Sequence, residues 1–180
     1  MLTLDDVQTM FKNNERLDFI FFSGHQKTSN GMITKTCLSQ WYQAPFEINN
    51  IKYKCAEQYM MCEKARLFND EEALDKILQA CHPNQMKLIG RTIKNFDEDV
   101  WNEHKIQIVK VANLGKFSQN QKLKRYLINT ENKILVKNVL HDNVWGIGLS
   151  KESELKYNPE NWKGENLLGF ILMDVREILH

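Results

Sequence analysis

Two ionisable side chains sit on a helical stripe that is otherwise apolar. The segment Lys54-Cys-Ala-Glu-Gln-Tyr-Met-Met-Cys-Glu-Lys-Ala-Arg-Leu-Phe68 reads as a helix, and Glu57 and Lys64 fall in line with Met60, Met61 and Phe68. They are two helical turns apart, roughly 10 Å of axial rise, which is too far for a surface i,i+4 pair. Either each pairs with a different neighbour across the core, with Lys64 snorkelling to water, or an acid and an amine face one cleft. A second stretch, His141-Asp-Asn-Val-Trp-Gly-Ile-Gly-Leu149, places a carboxylate (Asp142), an indole (Trp145) and two glycines (Gly146, Gly148) within a few residues. That composition suits a loop whose backbone closes on a flat or phosphorylated ligand; the structural alternative is a turn with a core tryptophan. Arg91, beside Gly90, is either a surface charge or an anion ligand.

The elements that position these residues are legible in outline. Thr3 with Asp6 resembles a capping box ahead of Leu4, Val7, Met10 and Phe11, so a short amphipathic helix, accessory to the main fold, occupies residues 1–16. Asp18-Phe-Ile-Phe-Phe22 reads as a fully buried strand closed by Ser23-Gly24. Asn30-Gly31 marks a loop or hairpin tip within 25–36. Period-2 apolar positions around Asn49-Asn50 predict a β-hairpin over 46–54, because asparagine tolerates the positive φ of a tight turn. This hairpin feeds the Glu57 helix.

Further helices follow. Asn69 or Asp70 caps one with Ala73, Leu74, Ile77 and Leu78 facing inward. Pro83 opens another, ending near Gly90-Arg91. Asp97 starts a longer one with Trp101, Lys105, Ile108, Val109 and Ala112 on one face, and Ser118 caps a further one carrying Leu123, Tyr126 and Leu127. Lys116, Lys122, Lys124 and Arg125 form a basic cluster read as a solvated face. Ile134 to Val139 reads as a strand, Lys151 to Asn161 as an exposed loop, and Gly164 opens a C-terminal helix with Leu168, Ile171, Leu172, Val175 and Ile178 inward. The fold class is α+β: a helix-rich single domain with a small sheet of short strands and a β-hairpin preceding the central helix.

Composition narrows the function classes. The 180 residues fit one domain with a sizeable core. Their 24 basic and 23 acidic side chains leave a formal charge of +1, so no overall field favours nucleic acid or an anionic membrane. Cys37, Cys55, Cys62 and Cys81 include no Cys-x-x-Cys pair, and the histidines show no ligand spacing, which argues against structural zinc and calls for no cofactor. The cysteines read as reduced, small buried hydrophobes of a cytoplasmic protein. No apolar run approaches the roughly 20 residues of a membrane span, and the acidic residues Asp5 and Asp6 stand where a leader would be basic.

Taken in order, Leu38-Ser-Gln-Trp-Tyr-Gln-Ala-Pro-Phe46, the Glu57 to Lys64 helix, Gly90-Arg91, Asp142 to Leu149 and Trp162-Lys-Gly-Glu-Asn-Leu-Leu-Gly169 resemble the NADAR family, whose best-known members are YbiA-like N-glycosidases. The resemblance spans Phe21 to Leu179 and defines a domain over 17–180. Two departures are visible: the family usually has Ser-Asn-Phe where this chain has Ser39-Gln40-Trp41, and the first helix lies outside the match. The resemblance implies hydrolysis of a ribosyl N-glycosidic bond in a small molecule or in an ADP-ribose-containing ligand. Family members act on phosphoribosylated pyrimidine intermediates of riboflavin synthesis, and others remove ADP-ribose from guanine in nucleic acid, so nucleic acid is a partner only in that second case.

The resemblance carries roles to Glu57, Lys64 and Asp142 as catalytic residues and to Trp145, Arg91 and Asn166 as substrate contacts; Ser39, Gln40, Trp41, Gly146 and Gly148 complete the expected substrate-binding set. N-glycoside cleavage requires protonation of the leaving nitrogen and stabilisation or capture of the oxocarbenium charge. Glu57 supplies the acid/base in this scheme, and Lys64, partly desolvated, is the nucleophile that forms a Schiff base with ring-opened ribose. A mere phosphate contact is the rival role for Lys64. Asp142 positions water or the ribose hydroxyls, and Trp145 stacks on the base. Two non-enzymatic alternatives are a module that binds ADP-ribose or NAD without cleaving it and an interaction module on the same fold.

Overall fold

The computed structural model describes residues 1–180 and is a helix-rich α+β fold whose strands form two separate pairs. Two compact units compose it: Met1–Ser39 with Lys122–His180, and Gln40–Gln121.

In the first unit, α1 (Leu4–Lys12) is held by the expected capping box. The Asp6 amide donates to Thr3 Oγ1 at 3.2 Å and the Thr3 amide to Asp6 Oδ2 at 2.8 Å. Val7 of α1 enters a core with Ile134, Val136, Ile147, Leu149, Trp162 and Phe170. The strand β1 (Phe19–Phe22) pairs in parallel with β4 (Ile134–Lys137), Phe19 opposite Ile134 and Phe22 opposite Lys137.

Burial of Ile134, Leu135 and Val136 explains the unbroken apolar run of β4, since a strand covered on both faces has no polar side. The first strand does not meet the expectation of full burial. Only Phe22 is buried, because α7 packs over β4 rather than β1, and the β1 aromatics pack edge-on instead: Phe19 against Trp162 at 5.9 Å and Phe21 against Tyr157 at 5.2 Å between centroids. In the same unit, α6 (Gln121–Ile128) buries Leu123 and Leu127.

The C-terminal helix α7 (Leu167–Leu179) lies on β4. It starts later than the sequence suggests because Asn166 is left-handed, with φ +54°, and the chain cannot enter the helix before it. Ile178 is exposed rather than inward, as the last turn of α7 passes beyond the core. A side chain at Gly169 would strike the Leu135 carbonyl oxygen, so glycine here sets how closely helix and strand approach.

In the second unit, β2 (Phe46–Ile48) and β3 (Ile51–Tyr53) form the expected antiparallel hairpin. Asn49 and Asn50 both take positive φ, +53° and +62°, as a primed two-residue turn requires. The hairpin leads into α2 (Ala56–Leu67), which is surrounded by α3 (Glu71–Gln79), α4 (Pro83–Gly90) and α5 (Glu98–Gln119). Every residue from Ala56 to Cys62 is buried. The single stripe read from the sequence is therefore too narrow a description: three helices and a hairpin leave the first two turns of α2 no solvent side.

Asp70 caps α3 by accepting from the Ala73 amide at 3.1 Å, and Asp97 caps α5 from the Val100 amide at 3.0 Å. The expected cap at Ser118 is displaced. The α5 helix runs through it, and Asn120 closes the end by donating to the carbonyls of Lys116 at 2.8 Å and Pro45 at 3.0 Å. No helix is long and apolar enough to cross a membrane. Cys37, Cys55 and Cys62 are buried thiols outside any disulfide, whereas Cys81 is exposed.

Candidate active site

The second unit gathers polar groups in its interior. Glu57 is 4% exposed in the first turn of α2, and its amide donates to the Gln40 carbonyl at 3.0 Å. Gln40 is itself buried, and its Oε1 accepts from Asn113 Nδ2 at 2.8 Å. One turn further along α5, Lys116 is fully buried, with its amine 4.9 Å from the Phe117 ring centroid and 5.8 Å from that of Tyr42.

The Cys55 thiol registers both charges. Burial is the main force pushing its pKa up to about 11; the Glu57 carboxylate adds to this and the Lys116 ammonium opposes it. A carboxylate and an amine thus influence one buried point. Burying charge is costly, and such groups concentrate where chemistry is done. Cys55 is no nucleophile itself, and neither is Cys62, which burial pushes to about 12.

Lys64 has other neighbours. Its amine donates to the Gly90 carbonyl at 2.9 Å and lies 4.1 Å from the Phe96 centroid and 5.5 Å from that of Trp101. Desolvation lowers its pKa, which enlarges the neutral, nucleophilic fraction. A side chain at Gly90 would collide with Met61, so glycine brings the carbonyl within reach of the amine. Arg91, the next residue, is exposed. Trp41 is half-buried, with the Lys87 amine 5.8 Å from its ring centroid.

In the first unit, the turn from Asp142 to Gly148 is tied to itself. Asp142 Oδ1 accepts from the Trp145 amide at 3.1 Å while Oδ2 meets the Lys137 amine at 2.7 Å. The Gly148 amide donates to the Asp142 carbonyl at 3.0 Å and the Asn166 amide to the Gly146 carbonyl at 3.1 Å. Gly148 has φ +67°, and a side chain there would run into Asn143 Oδ1; one at Gly146 would lie 2.7 Å from the Lys137 carbonyl. Backbone closure of this turn therefore depends on both glycines.

Trp145 is half-buried. Asn166 is fully buried, its Oδ1 accepting from the Lys137 amide and its Nδ2 donating to the Leu135 carbonyl, each at 2.9 Å. Its side chain fastens the turn and α7 to β4. Ser39 is half-buried at the end of a short helical turn, where its amide donates to the Thr36 carbonyl at 3.1 Å.

The structure thus links Glu57 with Gln40 in one unit and Asp142, Trp145, Gly146, Gly148 and Asn166 in the other. The sequence reading missed Asn113 and Lys116. Lys116 falls in a run with Lys122, Lys124 and Arg125, but it is buried where Lys122 and Arg125 are exposed. The available signal was its spacing: one turn after Ala112 and Asn113 it lies on the inner face of α5.

A NADAR domain model matches residues 21–180. The chain belongs to the NADAR family. Among similar proteins, N-glycosidase R617 of Acanthamoeba polyphaga mimivirus is 38% identical over 164 residues, covering 88% of this NADAR chain and 95% of the relative. N-glycosidase YbiA of Escherichia coli strain K12 is 27% identical over 135 residues, covering 75% of this chain and 76% of the relative. The NMR structure of the E. coli protein YbiA superposes with a TM-score of 0.72 at 25% identity, covering 91% of this chain and 86% of that one. The NADAR match begins after α1, which lies outside it.

Proposed function

We infer that this NADAR chain is an enzyme, a hydrolase acting on N-glycosyl compounds, and we propose that its substrate is a phosphoribosylated aminopyrimidine of riboflavin biosynthesis. The observation that carries the reading is the buried Glu57 carboxylate, anchored through its amide to Gln40 and sharing the Cys55 environment with the Lys116 amine. In this scheme the Glu57 carboxylate takes up a proton as substrate binds, gives it to the leaving nitrogen as the C1–N bond breaks, and recovers one of the protons the attacking amine sheds. A neutral lysine amine attacks C1, the ring oxygen leaves C1 and is protonated, and the amine loses its protons to form a C1 imine. Water then adds to the imine and releases ribose 5-phosphate and the amine, so the net reaction consumes one water.

Lys64 is the proposed nucleophile, supported by its desolvation. Lys116 is the rival, favoured by its complete burial in the neighbourhood of Glu57. Asp142 orients water or ribose hydroxyls, Trp145 stacks on the base, and Ser39, Trp41, Arg91 and Asn166 contact or support the bound ligand. The residues 1–16 form an accessory helix to the 17–180 domain, and the protein works in the cytoplasm.

Incubation of wild type and Glu57→Ala with a panel of N-ribosides, followed by mass spectrometry, tests the reading. The phosphoribosyl aminopyrimidine is expected to be consumed by wild type alone. Consumption of ADP-ribosyl-guanine instead selects the nucleic-acid alternative, and binding of ADP-ribose without release of any base selects the non-catalytic one. Borohydride during turnover followed by peptide mapping decides the amine: an adduct on the peptide bearing Lys64 supports the scheme, one on Lys116 transfers the role, and no adduct removes the imine.

A further inference from the structure

Two primary amides are buried side by side in the second unit. Asn113 Nδ2 donates to the Val109 carbonyl one turn back and to Gln40 Oε1, both at 2.8 Å. A backbone carbonyl only accepts, so Val109 fixes which end of the Asn113 amide is nitrogen. Gln40 is fixed in turn, because its oxygen must face that nitrogen. The pair therefore has two ends left over. Asn113 Oδ1 is buried with no hydrogen-bond partner, and Gln40 Nε2 reaches only the Met60 thioether at 4.0 Å.

Asparagine is a poor helix former, and a buried carbonyl without a donor requires an explanation. A leucine would fill the space with neither drawback. The surroundings give the reason: the Gln40 carbonyl holds the Glu57 amide at 3.0 Å, and Lys116 follows one turn later on the same helix. We propose that the Gln40–Asn113 amide pair binds a ribose hydroxyl of the substrate, the hydroxyl donating to Asn113 Oδ1 and accepting from Gln40 Nε2. A hydroxyl donates and accepts at a single atom, so it completes both open ends at once. The proposal rests on the ribosyl reading above. It makes Asn113 a specificity-determining residue, since a site built to hydrogen-bond a hydroxyl rejects the analogue that lacks it.

The test is calorimetric titration of the full chain with ribose 5-phosphate and its 2-deoxy and 3-deoxy analogues. Wild type is expected to bind the parent sugar at least about tenfold more tightly than one of the two analogues. Asn113→Leu is expected to bind that analogue and the parent alike. Asn113→Ser guards against misfolding, because its hydroxyl can donate to the Val109 carbonyl while Oδ1 is removed; the same loss of discrimination is expected. Undiminished discrimination in either folded variant overturns the proposal, as does a wild type that ignores both missing hydroxyls. A wild type that binds none of the three sugars overturns the ribosyl reading and this proposal with it.

Discussion

The Asp142–Gly148 turn and the Gln40–Glu57–Lys116 cluster are both polar, and they are held in opposite ways. The turn is local: the Trp145 and Gly148 amides both donate to Asp142, the Gly146 carbonyl accepts from Asn166, and Asn166 and Lys137 fasten the result to β4. The cluster is tertiary, its members brought from the segment before β2, from α2 and from α5 into a buried interior. A turn of the first kind can be loosened one bond at a time. A buried cluster of the second kind is sensitive to charge, because each ionised group there depends on the others for solvation.

That contrast orders the expected effects. Glu57→Gln keeps the volume and removes the proposed proton donor, so base release should fall by about 10²–10⁴-fold, and Tm should fall too because the other buried charge loses its compensation; mass-spectrometric turnover assays and thermal melts read the two quantities. Lys116→Met should lower turnover severely while Lys122→Met, on an exposed position of α6, leaves it unchanged. Combining Glu57→Gln with Lys116→Met removes both buried charges, and its Tm should match or exceed wild type, since apolar replacement of buried ions is often neutral or stabilising. A large drop in the Tm of this double variant would show that the cluster holds the fold together instead of serving chemistry.

The first unit should respond mainly in stability. Gly169→Ala drives a methyl against the Leu135 carbonyl and should destabilise by about 1–3 kcal/mol, measured by urea unfolding. Lys137→Met leaves Asp142 without its cation at 2.7 Å and should raise KM more than it lowers kcat, if the turn contributes binding. The smallest effect on stability belongs to the second unit, at the proposed nucleophile Lys64. Burial lowers its pKa, so the folded chain releases that proton before the unfolded chain does. Between the lowered value and about 10.4 the unfolded state holds more protons, and this group's contribution to stability rises with pH. Lys64→Met should flatten that rise.

The difference between the two regions also separates what the sequence displays from what it conceals. Asn49-Asn50, the Thr3–Asp6 box, Asp70 and Asp97 act on backbone within a few residues, so their roles are legible without knowledge of the rest of the chain. The glycines of the Asp142–Gly148 turn belong to the same class. Lys116 and Asn113 do not: whether a lysine in a basic run is solvated or buried depends on which elements cover that face of α5, and no local pattern states it. Burial of β1 differs from the expectation for the same reason, since FIFF reads alike in a strand that a helix covers and in one that it does not. The cap at Ser118 failed because Asn120 offered the end of α5 two carbonyl partners, one of them on Pro45, distant in sequence.

The parallel pairing of β1 with β4 has a kinetic corollary. The whole of Gln40–Gln121 is inserted between these strands, so the pairing must close a loop on the order of a hundred residues before it gains anything. Contacts of α2 with α3 and α4 span far shorter separations and can form first. Refolding should therefore show the helical signal recovering ahead of the β1–β4 pair, and Leu135→Ala should change the slow phase while leaving the fast one intact. The chain would acquire its acid-bearing interior before it joins its own two ends.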